Sequence, residues 1–147
     1  MTPAGLERLK LDEGLSLKAY PDPLTKADPW TIGYGCTGSG INKDTVWTQE
    51  QADGAILGRV NLITMQLYKQ LSFFSELSPV QRDVLINIAY NIGVAGLKKW
   101  TLTLAAMSCG NYKIAAQDIR DNKTWRNEVG ERCDRCADAF EKGTWLT

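Results

Sequence analysis

Two carboxylates and a hydroxyl, Glu13, Asp22 and Thr31, fall in the stretch EGLSLKAYPDPLTKADPWTIGYG at residues 13–35. Cleaving a bond between sugar units takes one carboxyl that is protonated near neutral pH, to donate to the leaving oxygen. A second carboxyl must stay ionised to activate water or stabilise positive charge. The two therefore need different surroundings. Glu13 is expected on the apolar face of a helix, where desolvation disfavours the charged form, and a general acid works best with a pKa of about 6 to 7. Asp22 lies between Pro21 and Pro23 on an extended, solvated segment and is expected to stay ionised. Thr31 offers a hydroxyl that can hold a water for Asp22 to activate. Each residue also has a plain structural alternative: Glu13 paired with an arginine of the last helix, Asp22 in a turn, Thr31 as an ordinary strand residue. It is the three together that favour chemistry.

Composition removes several other chemistries. The chain has no histidine, which excludes Ser-His-Asp and Cys-His catalysis and HExxH zinc sites, so proton transfer near neutral pH falls to carboxylates or to perturbed Lys, Tyr or Cys. Seventeen basic and 17 acidic residues balance without a long block of either sign, which argues against nucleic acid as a partner. Cys133 and Cys136 form a CxxC, but with no second CxxC and no histidine, reduced thiols or a structural disulfide fit better than zinc, and no metal or organic cofactor is expected. In residues 1–20 the leucines at 6, 9 and 11 are separated by Glu7, Arg8 and Lys10, leaving no apolar run suited to a secretory signal or a membrane span. The chain as given is expected to be made in the cytoplasm and to stay soluble, without stable membrane insertion.

The elements that must position these residues are legible in outline. A length of 147 residues suits one domain, burying roughly two thirds of its unfolded surface. Thr2 as N-cap and Pro3 at the first helical position open a helix expected to reach Glu13, with Gly14 as a left-handed cap. Leu6, Leu9 and Glu13 share a face, while Glu7 and Lys10 face solvent. Residues 17–47, with three prolines and Gly33, Gly35, Gly38 and Gly40, read as short strands and turns, including a hairpin of Ala19 and Tyr20 against 30–34. Thr48 to Gln51 form a capping box for a long helix to about Leu71, which could join two lobes. Ser78 to Gln81 form a second capping box. It opens the most apolar helix, which should stop at Gly93 with Tyr90 and Asn91 at its end, where a cleft would lie. Helices are expected at 97–107 and 112–121, the latter capped by Asn111, then a loop carrying Trp125 and a last helix from about Glu131 to Lys142 closed by Gly143.

Glu13-Gly14, Ala19-Tyr20, Asp22 and Thr31-Ile32-Gly33-Tyr34-Gly35 match, in order, a motif series that resembles the phage lysozymes of the T4 type, glycoside hydrolase family 24. The run from Leu85 to Gly93 looks like that family's central helix, and Gly143-Thr144-Trp145 like its C-terminal close. The resemblance implies an α+β, lysozyme-like fold: a small β-hairpin lobe at about 15–47 and a larger helical lobe at about 72–147 plus the N-terminal helix, joined by a long helix, with the active-site cleft between them. It implies an endolysin muramidase, acting as a monomer on peptidoglycan glycan strands. The bond cut would be the β-1,4 link between N-acetylmuramic acid and N-acetylglucosamine. The enzyme would be held in the host cytoplasm until a holin-type membrane lesion releases it to the periplasm and cell wall. Carried over, Glu13 is the general acid, Asp22 the opposing carboxylate and Thr31 the water-positioning hydroxyl of an inverting mechanism, with Thr37, Tyr90 and Asn91 as substrate contacts. Two departures stand out. The segment from Asp22 to Thr31 is longer than the family's turn, with Lys26, Ala27 and Asp28 added, and Cys36 stands where some relatives carry histidine.

Three alternatives are kept. A lytic transglycosylase would need only Glu13, a chitinase-like enzyme would differ in substrate, and a wall-binding module or inactive paralogue, such as a virion component, would bind glycan without cutting it. The five tryptophans are read first as core or lobe filler rather than sugar-stacking platforms. Arg132 is read as solvated. The C-terminal segment from Arg120 is charge-balanced and does not read as a basic amphipathic membrane disruptor.

Overall fold

A computed structural model describes residues 1–146, and two compact units are distinguished along the chain: residues 9–61, and residues 1–8 with 62–146. The boundaries fall inside helices, not in linkers. Among the described residues there are seven α-helices and one two-stranded antiparallel sheet, the mixed architecture expected.

The unit of residues 9–61 begins in α1 (Pro3–Glu13), which Gly14 ends at φ +69°. A residue with a Cβ would be strained there, so the helix stops immediately after Glu13. β1 (Ser16–Tyr20) then pairs with β2 (Thr31–Gly33), placing Ser16 opposite Gly33 and Tyr20 opposite Thr31. The other edge of β1 is held by residues 45–47, where Ala19 N–H donates to Thr45 O at 3.0 Å and Trp47 N–H to Leu17 O at 2.9 Å. The chain turns into α2 (Gln49–Gln70) through the expected capping box. Thr48 N–H donates to Gln51 Oε1 at 2.8 Å and Gln51 N–H to Thr48 Oγ1 at 3.2 Å. Leu9, Ile32, Ala52, Ile56 and Val60 are buried.

In the other unit the capping box at Ser78 and Gln81 starts α3 (Pro79–Lys98), whose residues 83–90 are all buried. Each fully buried aliphatic or aromatic side chain there contributes roughly 1.5–3 kcal/mol of transfer free energy. The expected stop at Gly93 is only a kink. Gly93 leaves helical geometry at φ 81°, ψ 158°, and the helix resumes to Lys98 because Val94 and Leu97 are buried three residues apart and continue the apolar face. Consequently α4 (Thr101–Ser108) begins after Trp100, not at Leu97. α5 (Tyr112–Asp121) has the expected bounds, although the Asn111 side chain makes no capping bond.

Trp125 was expected on a loop. It lies instead on α6 (Lys123–Val129), where Asn122 Oδ1 accepts from Trp125 N–H at 3.0 Å and caps the helix. The indole is buried and packs edge-on to Trp100 with ring centroids 5.5 Å apart. α7 (Arg132–Lys142) packs on α3, α5 and α6 and ends at Gly143, φ 71°.

Arg132 is buried, not solvated. Its Nε donates to Asn87 Oδ1 at 2.9 Å and its Nη2 to Asn87 O at 3.1 Å, so charge and stem are spent inside the helical packing. Asp83 is a second buried polar anchor, accepting from Thr2 N–H at 2.9 Å, from the Thr2 hydroxyl and from Trp145 Nε1 at 3.3 Å. All four cysteines are free thiols: Cys109 exposed, Cys36 half-buried, Cys133 and Cys136 buried.

Candidate active site

Glu13 is the last residue of α1 and is half-buried. Its Oε2 lies 3.2 Å from the point a Cβ on Gly35 would occupy, so the carboxylate rests against the backbone of the 33–35 loop. That loop is a tight return. Ile32 N–H donates to Cys36 O at 2.9 Å, Cys36 N–H donates back to Ile32 O at 2.8 Å, and Gly33 and Gly35 adopt φ +65° and +77°. Both glycines have steric reasons as well: a Cβ on Gly33 would sit 2.8 Å from Trp47 Cζ3.

Between the glycines, Tyr34 is turned inward and buried. Its hydroxyl donates to Asp53 Oδ1 at 3.1 Å and accepts from Gln49 Nε2 at 3.1 Å. Gln49 Nε2 also donates to Asp53 Oδ1 at 3.1 Å, and Lys10 Nζ lies 3.2 Å from the same oxygen and 5.7 Å from the Tyr34 ring centroid. The hydrogen bond from Lys10 is the main reason that the Asp53 carboxyl is held below its ordinary range. From α2, Arg59 Nη1 donates to Gly35 O at 3.4 Å.

Asp22 follows β1 and heads a closed turn. Its N–H donates to Ala27 O at 3.1 Å, Lys26 N–H donates to Asp22 O at 2.8 Å, and Leu24 N–H donates to Asp22 Oδ1 at 3.4 Å. Thr25 Oγ1 donates to Asp28 O at 2.8 Å. Lys26 and Ala27 are thereby bonded into the turn, and Thr31 is the first residue of β2, half-buried and opposite Tyr20. The unit thus holds two half-buried carboxyl side chains and a strand hydroxyl, the group types that acid/base hydrolysis uses.

Of the remaining expected contacts, Thr37 is exposed just after the loop. Tyr90 is 1% exposed, so its ring belongs to the core of the helical unit, and Asn91 is the exposed member of that pair. Asn91 Oδ1 accepts from Trp125 Nε1 at 2.8 Å, which fixes the side chain. No cluster of metal-ligating side chains occurs among the described residues, and no described helix is long and apolar enough to cross a membrane.

The group missed from sequence is Lys10, Gln49 and Asp53 around Tyr34. Lys10 was placed on the solvent face by helical phase, yet its side chain is 20% exposed. The available signal was the i, i+4 pair Gln49 and Asp53 on the first turns of α2, facing an aromatic between two glycines.

A family model described as phage lysozyme matches residues 10–136. An endolysin of Bacillus phage B103 is 34% identical over 116 residues, covering 79% of this chain and 43% of its own length. An endolysin of Bacillus phage PZA is 32% identical over 146 residues, covering 96% of this chain and 55% of its own. The pre-baseplate central spike protein Gp5 of Enterobacteria phage T4 is 31% identical over 157 residues, covering 88% of this chain and 26% of its own. The chain thus spans about half the length of the two endolysins it matches. With a match from the last turns of α1 into α7, and a lysozyme-like α+β fold, the chain belongs to the phage lysozyme family.

Proposed function

We propose that this chain is a muramidase of the T4 type, hydrolysing the β-1,4 bond between N-acetylmuramic acid and N-acetylglucosamine in peptidoglycan. Glu13 donates the proton to the leaving oxygen, Asp22 is the ionised carboxylate, and Thr31 places the attacking water for an inverting displacement. Thr37 and Asn91 serve as glycan contacts, with Tyr90 as buried support for its neighbour. The single observation that carries this assignment is the close seating of the Glu13 carboxylate on Gly35, in the unit that also holds Asp22 and Thr31. The enzyme works as a monomer, without nucleic acid, metal or organic cofactor. As a lysis enzyme it waits in the host cytoplasm until a holin-type lesion admits it to the wall.

A second reading is favoured by the similarity to the T4 spike protein: the same muramidase carried on a virion. The deciding experiment is mass spectrometry of muropeptides released from purified peptidoglycan, beside Glu13→Gln and Thr31→Ala. Hydrated reducing ends support the muramidase. Anhydro ends indicate a transglycosylase, and binding without release a wall-binding module.

A further inference from the structure

Asp53 lies on the second turn of α2 and is not one of the three residues assigned to the chemistry, yet one of its oxygens gathers three donors. Oδ1 is 3.2 Å from Lys10 Nζ, 3.1 Å from the Tyr34 hydroxyl and 3.1 Å from Gln49 Nε2. Those donors come from three different places. Lys10 is one turn before Glu13 on α1, Tyr34 is the anchor of the 33–35 loop, and Gln49 is the first residue of α2. Glu13 and Gly35 are each close in sequence to one of these donors, and the two meet at the Glu13 carboxylate.

We propose that Asp53 is a positioning residue for Glu13: it ties the last turn of α1 and the 33–35 loop to the start of α2, so that Gly35 backs the acid. The proposal rests on the assignment of Glu13 as the proton donor.

The chemistry of the cluster explains why a carboxylate stands there. A lysine ammonium is donor only, and the amide nitrogen of Gln49 donates twice, to Tyr34 and to Asp53. An acceptor with several lone pairs and a negative charge completes this set, and charge-assisted bonds are the stronger ones. Asp53, with its side chain 38% exposed, keeps much of its access to water, so its ion pair with Lys10 should contribute little to stability. The loop itself is set by its two left-handed glycines and the Ile32 to Cys36 return, so losing Asp53 should loosen its seating without unfolding it. A loss of placement reads out in turnover. A misplacement of about 1 Å can cost roughly a hundredfold in rate.

The test is steady-state kinetics on soluble peptidoglycan glycan strands with the wild type, Asp53→Leu, Asp53→Glu, Lys10→Met and Tyr34→Phe, each melted by circular dichroism. The expected result for Asp53→Leu and Tyr34→Phe is a kcat at least about tenfold down with KM within about twofold, and a melting temperature within a few degrees. Asp53→Glu should recover part of kcat. The proposal is overturned if both Asp53→Leu and Tyr34→Phe turn over within about twofold of wild type, or if the loss lies in KM alone. Should Asp53→Leu fail to fold, Tyr34→Phe, which removes one oxygen, decides the matter by the same criteria. An inactive wild type would overturn the assignment of Glu13 and the proposal with it, a result distinct from an active wild type with active variants.

Discussion

Thr31 stands directly opposite Tyr20 across the antiparallel pair of β1 and β2. The pairing is a backbone relationship, so the side-chain hydroxyl can be removed without disturbing the register. Thr31→Ala should cost no more than about 1 kcal/mol of stability, the span of strand preferences, while turnover falls by about a hundredfold or more if the hydroxyl holds the water. Thr31→Ser should retain most of the rate. Thermal melts beside product release from purified peptidoglycan separate the two effects, and equal losses in both variants would remove the hydroxyl from the mechanism.

Gly33 and Gly143 give a graded pair of glycine substitutions. Both have positive φ, at 65° and 71°, but a Cβ on Gly33 meets the Trp47 ring while one on Gly143 meets nothing within 4 Å. Gly143→Ala should cost about 1 kcal/mol from backbone strain alone. Gly33→Ala should cost about 2–4 kcal/mol, since overpacking adds to the same strain. Urea denaturation checks the difference, and equal midpoints would mean that the indole moves aside freely.

Removing the Asn87 side chain should expose the cost of a buried guanidinium. Arg132 Nε would lose the Asn87 Oδ1 acceptor it holds at 2.9 Å, and the Cys136 thiol would lose a contact at 3.6 Å. Asn87→Ala is therefore expected to destabilise by about 2–3 kcal/mol, and Arg132→Lys to be poorly tolerated because a point charge cannot reproduce the fork. A shift in urea midpoint at unchanged slope is the readout.

Acid sensitivity should trace to the arginines that bind the C-terminal helices together. Arg120 Nη2 on α5 donates to Asp138 and Glu141 of α7, each at 2.6 Å, and Arg126 Nη2 donates to Asp134 at 2.7 Å. The hydrogen bond from Arg120 holds the Asp138 carboxyl below its ordinary value of 3.8, and Arg126 does the same for Asp134. A carboxyl whose pKa is lower folded than unfolded contributes stability above the unfolded value, and that contribution is lost as pH falls through the folded one. Asp138→Asn should therefore be less stable than wild type near neutrality, and the gap should close below about pH 4. Urea midpoints across this range test it. Added salt should narrow the gap at neutral pH, because these groups are partly exposed.

How much of this could be read from residues alone depended on whether the signal was local. The capping boxes at Thr48 and Ser78 and the stop at Gly14 are set by neighbours within four residues, and they formed as the sequence indicates; the hairpin carrying Thr31 joins segments adjacent along the chain and formed as well. Gly93 reads as an end in sequence, and it is the burial of Val94 and Leu97 in the folded chain that carries the helix on past the kink. The burial of Arg132 is likewise not a local signal, since its partner Asn87 is 45 positions away. In the candidate site, Glu13, Asp22 and Thr31 could be named from type and order, but the contact of Glu13 with Gly35 and the convergence of Lys10, Tyr34 and Gln49 on Asp53 depend on how α1, the loop and α2 meet.

The unequal burial of the four thiols has a practical side. Cys133 and Cys136 are enclosed, and burial pushes the Cys133 thiol up, away from its reactive thiolate. Cys36, one residue past Gly35, and Cys109, at the end of α4, are the accessible pair, and they fall one in each unit. The chain therefore carries one solvent-reachable thiol in each unit, an attachment point for spin or fluorescent labels that needs no engineered cysteine.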